Sequence, residues 1–198
     1  HFSLHFNNTG FMHNQHNTKF CLIEIKEKYT WTLTSNLILL KDVYFNLAIE
    51  TINPIAPSTA LNIKTVNFFM YLNNVNMQNF GQALKVEKSQ VPDYFQITTV
   101  VKITNCSFSK NRGLDVGAAI HVMLRIVHFI KAEILIENCT FSNNTSLKQG
   151  GALYVLVTKG QGHQGTNRLS VSIKSSYFEN NFAGLEGGCV YIGSYVLS

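Results

Sequence analysis

The residues best suited to acid–base chemistry are few and scattered in this sequence. The aspartates are Asp42, Asp93 and Asp115. Glycosidases place two carboxylates across the bond that they cleave, and calcium-dependent lyases gather acidic ligands beside a base. Glu133 and Glu137 are close in sequence, but their spacing is typical of the solvated face of a strand and its turn. We therefore expect no catalytic residues, no cofactor and no enzyme activity.

Five of the 7 histidines lie at two places in the sequence that could do chemistry. His163 lies in 160–165, Gly-Gln-Gly-His-Gln-Gly, which resembles the Gly-His-Gly of polygalacturonases but has no acidic partners. Its glycines favour an exposed loop. The spacings among His1, His5, His13 and His16 match no known metal site. We expect no metal site in either group.

Five Asn-x-Ser/Thr sequons are the other chemical signal, and they occur at Asn7, Asn105, Asn138, Asn143 and Asn144. A sequon is the acceptor of N-glycans in secreted eukaryotic proteins. An alternative interpretation is that Asn-Cys-Ser and Asn-Cys-Thr are structural elements of a repeat. The two interpretations are compatible, and both stay open.

A repeat organises the second half of the chain. Segments 101–122, 134–155 and 171–192 align without a gap. Each has a Phe followed by an Asn three residues later, then a Gly nine residues after the Phe, and apolar alternation at both ends. We interpret Leu72 and Gly81 as the Phe and Gly positions of a fourth, degenerate copy. The period of two within each copy predicts short strands.

Stacking one copy on the next places equivalent residues about 4.8 Å apart, the spacing of neighbouring strands. The Phe positions would form an inward aromatic stack, and the Asn positions a ladder of amides that bond along the axis. The stacked sets are Phe108, Phe141 and Phe178; Asn111, Asn144 and Asn181; and Cys106 with Cys139. The remaining segments, 123–133 and 158–168, are expected to be loop insertions of a solenoid.

The ladder separates the two overlapping sequons. Asn144 occupies an amide position, so we expect its side chain to point inward, where no glycan fits. Asn143 is its neighbour on an extended turn and should face solvent. The glycosylation candidates are therefore Asn143 and Asn7.

Cys106 and Cys139 admit two interpretations. A Cα separation near 4.8 Å is within the range for a disulfide. Side chains in register point the same way, however, which hinders the required dihedral angle. We favour stacked, reduced and buried thiols. With Cys21 and Cys189 the chain has 4 cysteines, and none forms a CxxC pair.

Residues 1–60 carry weaker signals, which we interpret as degenerate N-terminal coils of the same solenoid, with regular repeats over 61–198. Phe6 begins a broken Phe-x-x-Asn turn. The expected strands are 20–25, 31–34, 37–40 and 48–52. Because the first residue is His, we expect an internal fragment of a longer chain that continues into further β-helix coils.

Composition narrows the function classes. The chain is 45% hydrophobic and 14% charged, which excludes a disordered tail. The net charge of +5 comes without a basic cluster, so we expect no nucleic-acid partner. No run of 18 uncharged apolar residues occurs, so we expect no membrane insertion by this segment.

Phe141-Ser-Asn-Asn144 with Gly150-Gly-Ala-Leu153 resembles the repeat of chlamydial polymorphic outer membrane proteins. Similar repeats occur in large extracellular proteins of invertebrates, which are described as right-handed β-helix or pectin-lyase-like proteins. Other copies depart from the motif: Gly117 is followed by Ala, and Cys189 replaces Ala. The resemblance covers about residues 65–192 and implies a surface-exposed, adhesive or structural role with no catalytic residues. The sequons favour the invertebrate branch.

We therefore predict an all-β protein, a right-handed parallel β-helix (solenoid) of roughly four to five coils with loop insertions. Its expected function is a non-enzymatic extracellular or cell-surface scaffold, structural or adhesive, whose partner is an unknown surface protein or glycan. One alternative is a carbohydrate-active β-helix, of the polysaccharide lyase or glycosidase kind, with its acidic site outside this fragment. Another is the passenger adhesin of a bacterial autotransporter.

Overall fold

The computed structural model describes the chain over these residues: 3–14, 20–26, 36–48, 58–64, 68–88, 97–126, 130–159 and 168–196. Within them, side chains are described for 23, 38–43, 59–64, 68–87, 98–124, 131–158 and 168–194. All regular elements of the described chain are β-strands. No described segment is a helix with the length and apolar character needed to span a membrane.

The strands follow one another at short intervals, as expected for a chain that turns repeatedly around one axis. In chain order they are β1 (Ser3–Asn14), β2 (Phe20–Lys26), β3 (Asn36–Ala48), β4 (Ser58–Lys64), β5 (Phe68–Asn73), β6 (Asn76–Gln78), β7 (Gln82–Lys88), β8 (Ile97–Thr104), β9 (Ser107–Ser109), β10 (Arg112–Gly113), β11 (Ile120–Ile126), β12 (Ile130–Glu137), β13 (Thr140–Ser142), β14 (Thr145–Ser146), β15 (Leu153–Lys159), β16 (Arg168–Lys174), β17 (Tyr177–Glu179), β18 (Phe182–Ala183) and β19 (Val190–Val196).

Every strand pairing between the described strands is parallel, and each links one turn of the chain to the next. One sheet runs in the order β16-β12-β8-β5-β3-β6-β9-β13-β17, with β1 also on β3. A second sheet has the order β19-β15-β11-β7-β4-β2, and the third has β10-β14-β18. The chain is therefore a parallel β-solenoid, which confirms the predicted all-β β-helix. Its handedness and total number of coils stay predictions.

Three turns of the chain contain strands of all three sheets: 97–126, 130–159 and 168–196. Their register is the one that the sequence repeat predicts, because Phe141 pairs with both Phe108 and Phe178. Apolar alternation explains the core: alternate side chains of a strand point to opposite faces. In β8, for example, Ile103 is buried and Lys102 is exposed.

The corners between strands use left-handed backbone conformations. Asn tolerates this region better than most residues, and Gly adopts it without penalty. A Cβ added at Gly150 would clash with the carbonyl oxygen of Leu153. In the three turns, positive φ values occur at Asn105, Asn138 and Ser175, at Lys110, Asn143 and Asn180, and at Gly117, Gly150 and Gly187.

The fourth, degenerate copy was assigned wrongly at its Phe position. Leu72 pairs with Ile103 in a strand, and Met77 is the residue that pairs with Phe108. Leu84 pairs with Ile120, so Gly81 lies at the position of Gly117, three residues before each, but it lacks the positive φ of Gly117. Gly81 follows Met77 by four positions, whereas Gly117 follows Phe108 by nine, because this turn has no counterpart of β10. An alignment without gaps therefore shifts the register.

The edges of the repeat also differ from the prediction. The segment 123–133 is mostly strand, since β11 extends to Ile126 and β12 begins at Ile130. Near the N-terminus, Phe11 pairs with Phe45 and lies in the Phe register, whereas Phe6 pairs with Leu40 within a strand. The expected strand at 31–34 lies outside the described residues, as does 49–52.

Candidate functional site

The aromatic positions of the repeat form a stack inside the solenoid. The ring centroids of Phe108 and Phe141 are 5.1 Å apart with planes 4° from parallel. Those of Phe141 and Phe178 are 4.6 Å apart at 8°. Phe108 and Phe141 are fully buried, and Phe178 is half-buried in the last described turn. These rings therefore hold adjacent turns together and are closed to a ligand.

The asparagine positions form a ladder of amides beside the rings. The Asn111 Nδ2 donates to Asn144 Oδ1 at 2.8 Å, and the Asn144 Nδ2 donates to Asn181 Oδ1 at 2.9 Å. Each amide also bonds a backbone carbonyl: Asn144 donates to that of Phe108 at 3.0 Å. Asn111 and Asn144 have no exposed surface. The polar groups of the repeat motif are thus used internally, between turns.

Cys106 and Cys139 lie on adjacent turns and are free, buried thiols. The Cys106 thiol donates to the carbonyl of Thr104 at 3.1 Å, and the Cys139 thiol donates to that of Glu137 at 3.2 Å. The neighbouring Cys139 side chain raises the pKa of Cys106, and burial adds to this effect. Both thiols are therefore occupied inside the stack.

The two overlapping sequons are on opposite sides of one corner. Asn144 points inward, as described above, and Asn143 is exposed. The turn is not extended, as the sequence suggested, because Asn143 has a φ of +57°. Asn105 and Asn138 are also exposed at left-handed corners, which gives asparagine a backbone role at these sequons. Asn7 lies in β1, and its side chain is outside the described part.

A groove lies on the outer surface of the second sheet, next to the loop that precedes β11. We call it the lateral groove, and its volume is about 400 Å³. Its lining residues come from four successive turns, so stacking brings together side chains that are far apart in sequence. The lining includes Lys85, Glu87, Asp115, His121, Lys148 and Tyr154.

His121 forms part of the lining of the lateral groove, and the rest of the site is arranged around its ring. The side chain is 5% exposed. Gln82 Nε2 lies 2.8 Å from His121 Nδ1 and also donates to the carbonyl of Val116 at 2.6 Å. An amide nitrogen is only a donor, so Nδ1 accepts and the neutral ring carries its proton on Nε2. The Nε2 atom has no hydrogen-bond partner.

Burial, together with the nearby Lys85, lowers the pKa of His121 to about 4. Glu87, Asp115 and the carbonyl of Val116 act in the opposite direction but do not offset the burial. The imidazole is therefore neutral near neutral pH. Tyr154 meets it edge to face, with centroids 5.3 Å apart, and Tyr154 stacks on Tyr191 at 5.2 Å.

Two ion pairs form the rim of the lateral groove. Lys85 Nζ lies 2.6 Å from Glu87 Oε2, and Lys148 Nζ lies 2.7 Å from Asp115 Oδ1. The second pair is more exposed, with side-chain exposures of 58% and 59%. With a neutral His121, these four charges sum to zero. The groove therefore offers adjacent donors and acceptors without a net charge.

The other acidic residues singled out in the sequence lie apart from the groove lining. Glu133 contacts Lys131 at 3.8 Å, and Asp42 accepts a hydrogen bond from Asn74 at 2.8 Å. Among the described residues, no cluster of three His, Cys, Asp or Glu side chains could hold a metal ion. Asp93, His163, His1 and His16 are outside the described residues, as are the side chains of His5 and His13.

Sequence reasoning missed the lateral groove. A signal was present: His121 is the outward residue between Ile120 and Val122, and its register partners are Lys85 and Tyr154. Aligned outward positions of β7, β11 and β15 thus line the groove. The alternation of apolar and polar residues could not predict the loop that brings Asp115 and Val116 beside these side chains.

Comparison with known proteins finds one family. Residues 138–156 match the Chlamydia polymorphic membrane protein repeat. The matched segment runs from the corner at Asn138 through Phe141 and Asn144 to β15, so it contains both halves of the motif. No curated protein and no solved structure matches the chain. The repeat and the solenoid fold fit a surface protein of the autotransporter type.

Proposed function

We propose that this chain is a non-enzymatic extracellular scaffold that acts in adhesion: a rigid β-solenoid that presents its lateral faces to a partner on another surface. The observation that carries the proposal is the use of the motif residues. Asn144 is fully buried and bonds both neighbouring turns, as the amide ladder requires. The motif therefore builds the stack, and recognition is left to outward side chains.

The lack of enzyme activity is part of the same proposal. Hydrolysis of a glycosidic bond needs two carboxyl groups on either side of the bond. In the lateral groove, Glu87 and Asp115 are each held by a lysine at 2.6 and 2.7 Å. Each of these carboxylates is therefore engaged in an ion pair with a lysine. A binding role fits this arrangement better than a general acid and base.

The last described turn supports a further element of the proposal, that another turn of the same repeat packs on it. Four of its large apolar side chains are more than 45% exposed: Tyr177, Phe182, Leu185 and Ile192. Asn181 donates to the carbonyl of Phe141 at 2.9 Å and accepts from Asn144. A turn with an aromatic residue and an amide in the same register would cover this surface.

Adhesion is tested by coating beads with the purified chain and measuring retention on a panel of cultured eukaryotic and bacterial cells under flow. We expect saturable retention that the soluble chain competes away. Beads coated with heat-denatured chain serve as the control. Retention no greater than that of the control on every surface would contradict an adhesive role.

A further inference from the structure

We propose that the lateral groove binds an uncharged saccharide unit of a glycan. This inference rests on the proposed adhesive function, because it names the chemical class of the partner. It depends only on groups that three successive turns place together, and not on the repeat motif inside the solenoid.

The first argument is the unsatisfied donor in the lateral groove. Gln82 occupies His121 Nδ1, so the Nε2 proton of a ring that is 5% exposed has no acceptor. Buried polar groups are nearly always hydrogen-bonded, and an exception calls for a partner. A hydroxyl oxygen that moves aside the groove side chains covering Nε2, whose accessible surface is below 1 Å², supplies that acceptor. The volume of about 400 Å³ is within the range of small-ligand sites.

The second argument is the balance of charge. Each rim pair places an ammonium donor beside a carboxylate acceptor, at 2.6 Å for Lys85 and Glu87 and 2.7 Å for Lys148 and Asp115. A hydroxyl group both donates and accepts, so neighbouring hydroxyls of a sugar ring match such a pair. An acidic sugar would meet two carboxylates, and a cationic ligand would meet two ammonium groups. An uncharged polyol avoids both repulsions.

The third argument is the apolar part of the lining. Tyr154 and Met123 lie in the groove beside the charged rim. Tyr154 is held in place by its stack on Tyr191 and by its contact with His121. Sugars combine hydroxyls with apolar C–H faces, and sites for small ligands commonly pair apolar surface with a few fixed polar groups. The lining therefore suits a saccharide better than a free inorganic ion.

The test is titration of the folded chain with four uncharged disaccharides (cellobiose, lactose, maltose and N,N′-diacetylchitobiose) and with digalacturonate, followed by calorimetry and ¹⁵N NMR. We expect at least one uncharged disaccharide to bind with a Kd below about 10 mM and to shift the His121 Nε2 resonance. Digalacturonate should bind at least about tenfold more weakly. No binding of any uncharged disaccharide, or tighter binding of digalacturonate, overturns the proposal.

Asp115→Asn tests the site itself, because this exposed side chain can be changed without disturbing the core. We expect affinity to fall by about tenfold or more, the usual effect of losing a charged hydrogen bond. The matched control is Glu133→Gln, which alters an ion pair of similar exposure outside the groove. Equal affinity of Asp115→Asn and the wild type places the ligand elsewhere and overturns the assignment.

The same variants separate this inference from the proposed function. If beads carrying Asp115→Asn adhere to cells as well as the wild type, adhesion stands and the lateral groove is not its site. If the chain binds a disaccharide in the groove but no cell surface retains it, the saccharide site stands and the adhesive function fails.

Discussion

Replacing Asn144 by Ala is the most informative perturbation of the solenoid, because this one side chain makes four hydrogen bonds. Its Nδ2 donates to the carbonyl of Phe108 at 3.0 Å and to Asn181 Oδ1 at 2.9 Å. Its Oδ1 accepts from the backbone N–H of Asn111 at 3.2 Å and from Asn111 Nδ2 at 2.8 Å. The substitution therefore acts on both neighbouring turns.

The expected loss of stability follows from which groups keep another partner. Asn111 Nδ2 retains its bond to the carbonyl of Met77, and Asn181 Oδ1 retains the backbone N–H of Asn144. The N–H of Asn111 loses the partner that the amide provided, whereas the carbonyl of Phe108 stays within the strand ladder between β9 and β13. A buried polar group left unsatisfied costs about 1–3 kcal/mol. We expect the free energy of unfolding to fall by about 1–3 kcal/mol.

The matched control is Asn143→Gly, at the neighbouring exposed position with a φ of +57°. Glycine adopts this backbone conformation freely, so we expect a change within about 1 kcal/mol. Asn143→Ala is a poorer control, since a Cβ in the left-handed region costs about 1–2 kcal/mol.

The assay is urea unfolding of protein made in a host without N-glycosylation, followed by circular dichroism. Hydrogen exchange of the Asn111 amide reports on the ladder directly and should become faster in Asn144→Ala. The reasoning is refuted if Asn144→Ala and Asn143→Gly have equal stability, or if protection of the Asn111 amide does not change.

Three further predictions concern the stack, the buried histidine and the sequons. Phe141→Ala should cost about 3–5 kcal/mol in chemical unfolding, and Phe178→Ala less, because Phe178 is half-buried with one stacked neighbour; equal costs would contradict the stack. His121 is held neutral in the folded state, with a pKa of about 4 against an ordinary 6.5. As the pH falls, the unfolded chain therefore takes up the proton at a higher pH than the folded chain does. The stability of the fold should decrease as the pH drops from about 6.5 to 4. The full effect on the free energy of unfolding is about 3 kcal/mol. Unfolding of His121→Gln, measured across this pH range, should lack that part of the pH dependence. A pH profile equal to that of the wild type would contradict the prediction. In protein secreted from eukaryotic cells, glycopeptide mapping should find any glycan at Asn143 and none at the buried Asn144; occupancy of Asn144 would show that the two faces are reversed.

The fold could be predicted because the spacing within the repeat fixes the register between neighbouring strands. The nine residues from Phe141 to Gly150 recur in three copies, and identical spacing forces equivalent residues into the same position of each turn. The same argument failed for Leu72, because the turn around Met77 is shorter and an alignment without gaps cannot show a missing strand. The left-handed corner at Asn143 was also missed, since alternation reports the strands but not the angle between them.

The lateral groove could not be predicted from the sequence, for a different reason. Its lining depends on how the loop with Asp115 and Val116 folds over an outward strand position, and that loop is the least regular part of the repeat. Once the register is known, Lys85, His121 and Tyr154 can be read as one outward row. The bond from Gln82 that leaves His121 Nε2 unpaired requires coordinates.

The central claim is that this solenoid binds surface glycans without altering them, and one experiment tests both halves. Electrophoresis of the chain through gels that contain uncharged polysaccharides measures binding as retardation, and assays of the same polysaccharides for new reducing or unsaturated ends measure turnover. We predict retardation that Asp115→Asn weakens and Glu133→Gln does not, with no new ends released from these substrates or from polygalacturonate. Release of new ends that a single Asp or Glu substitution abolishes would contradict the account.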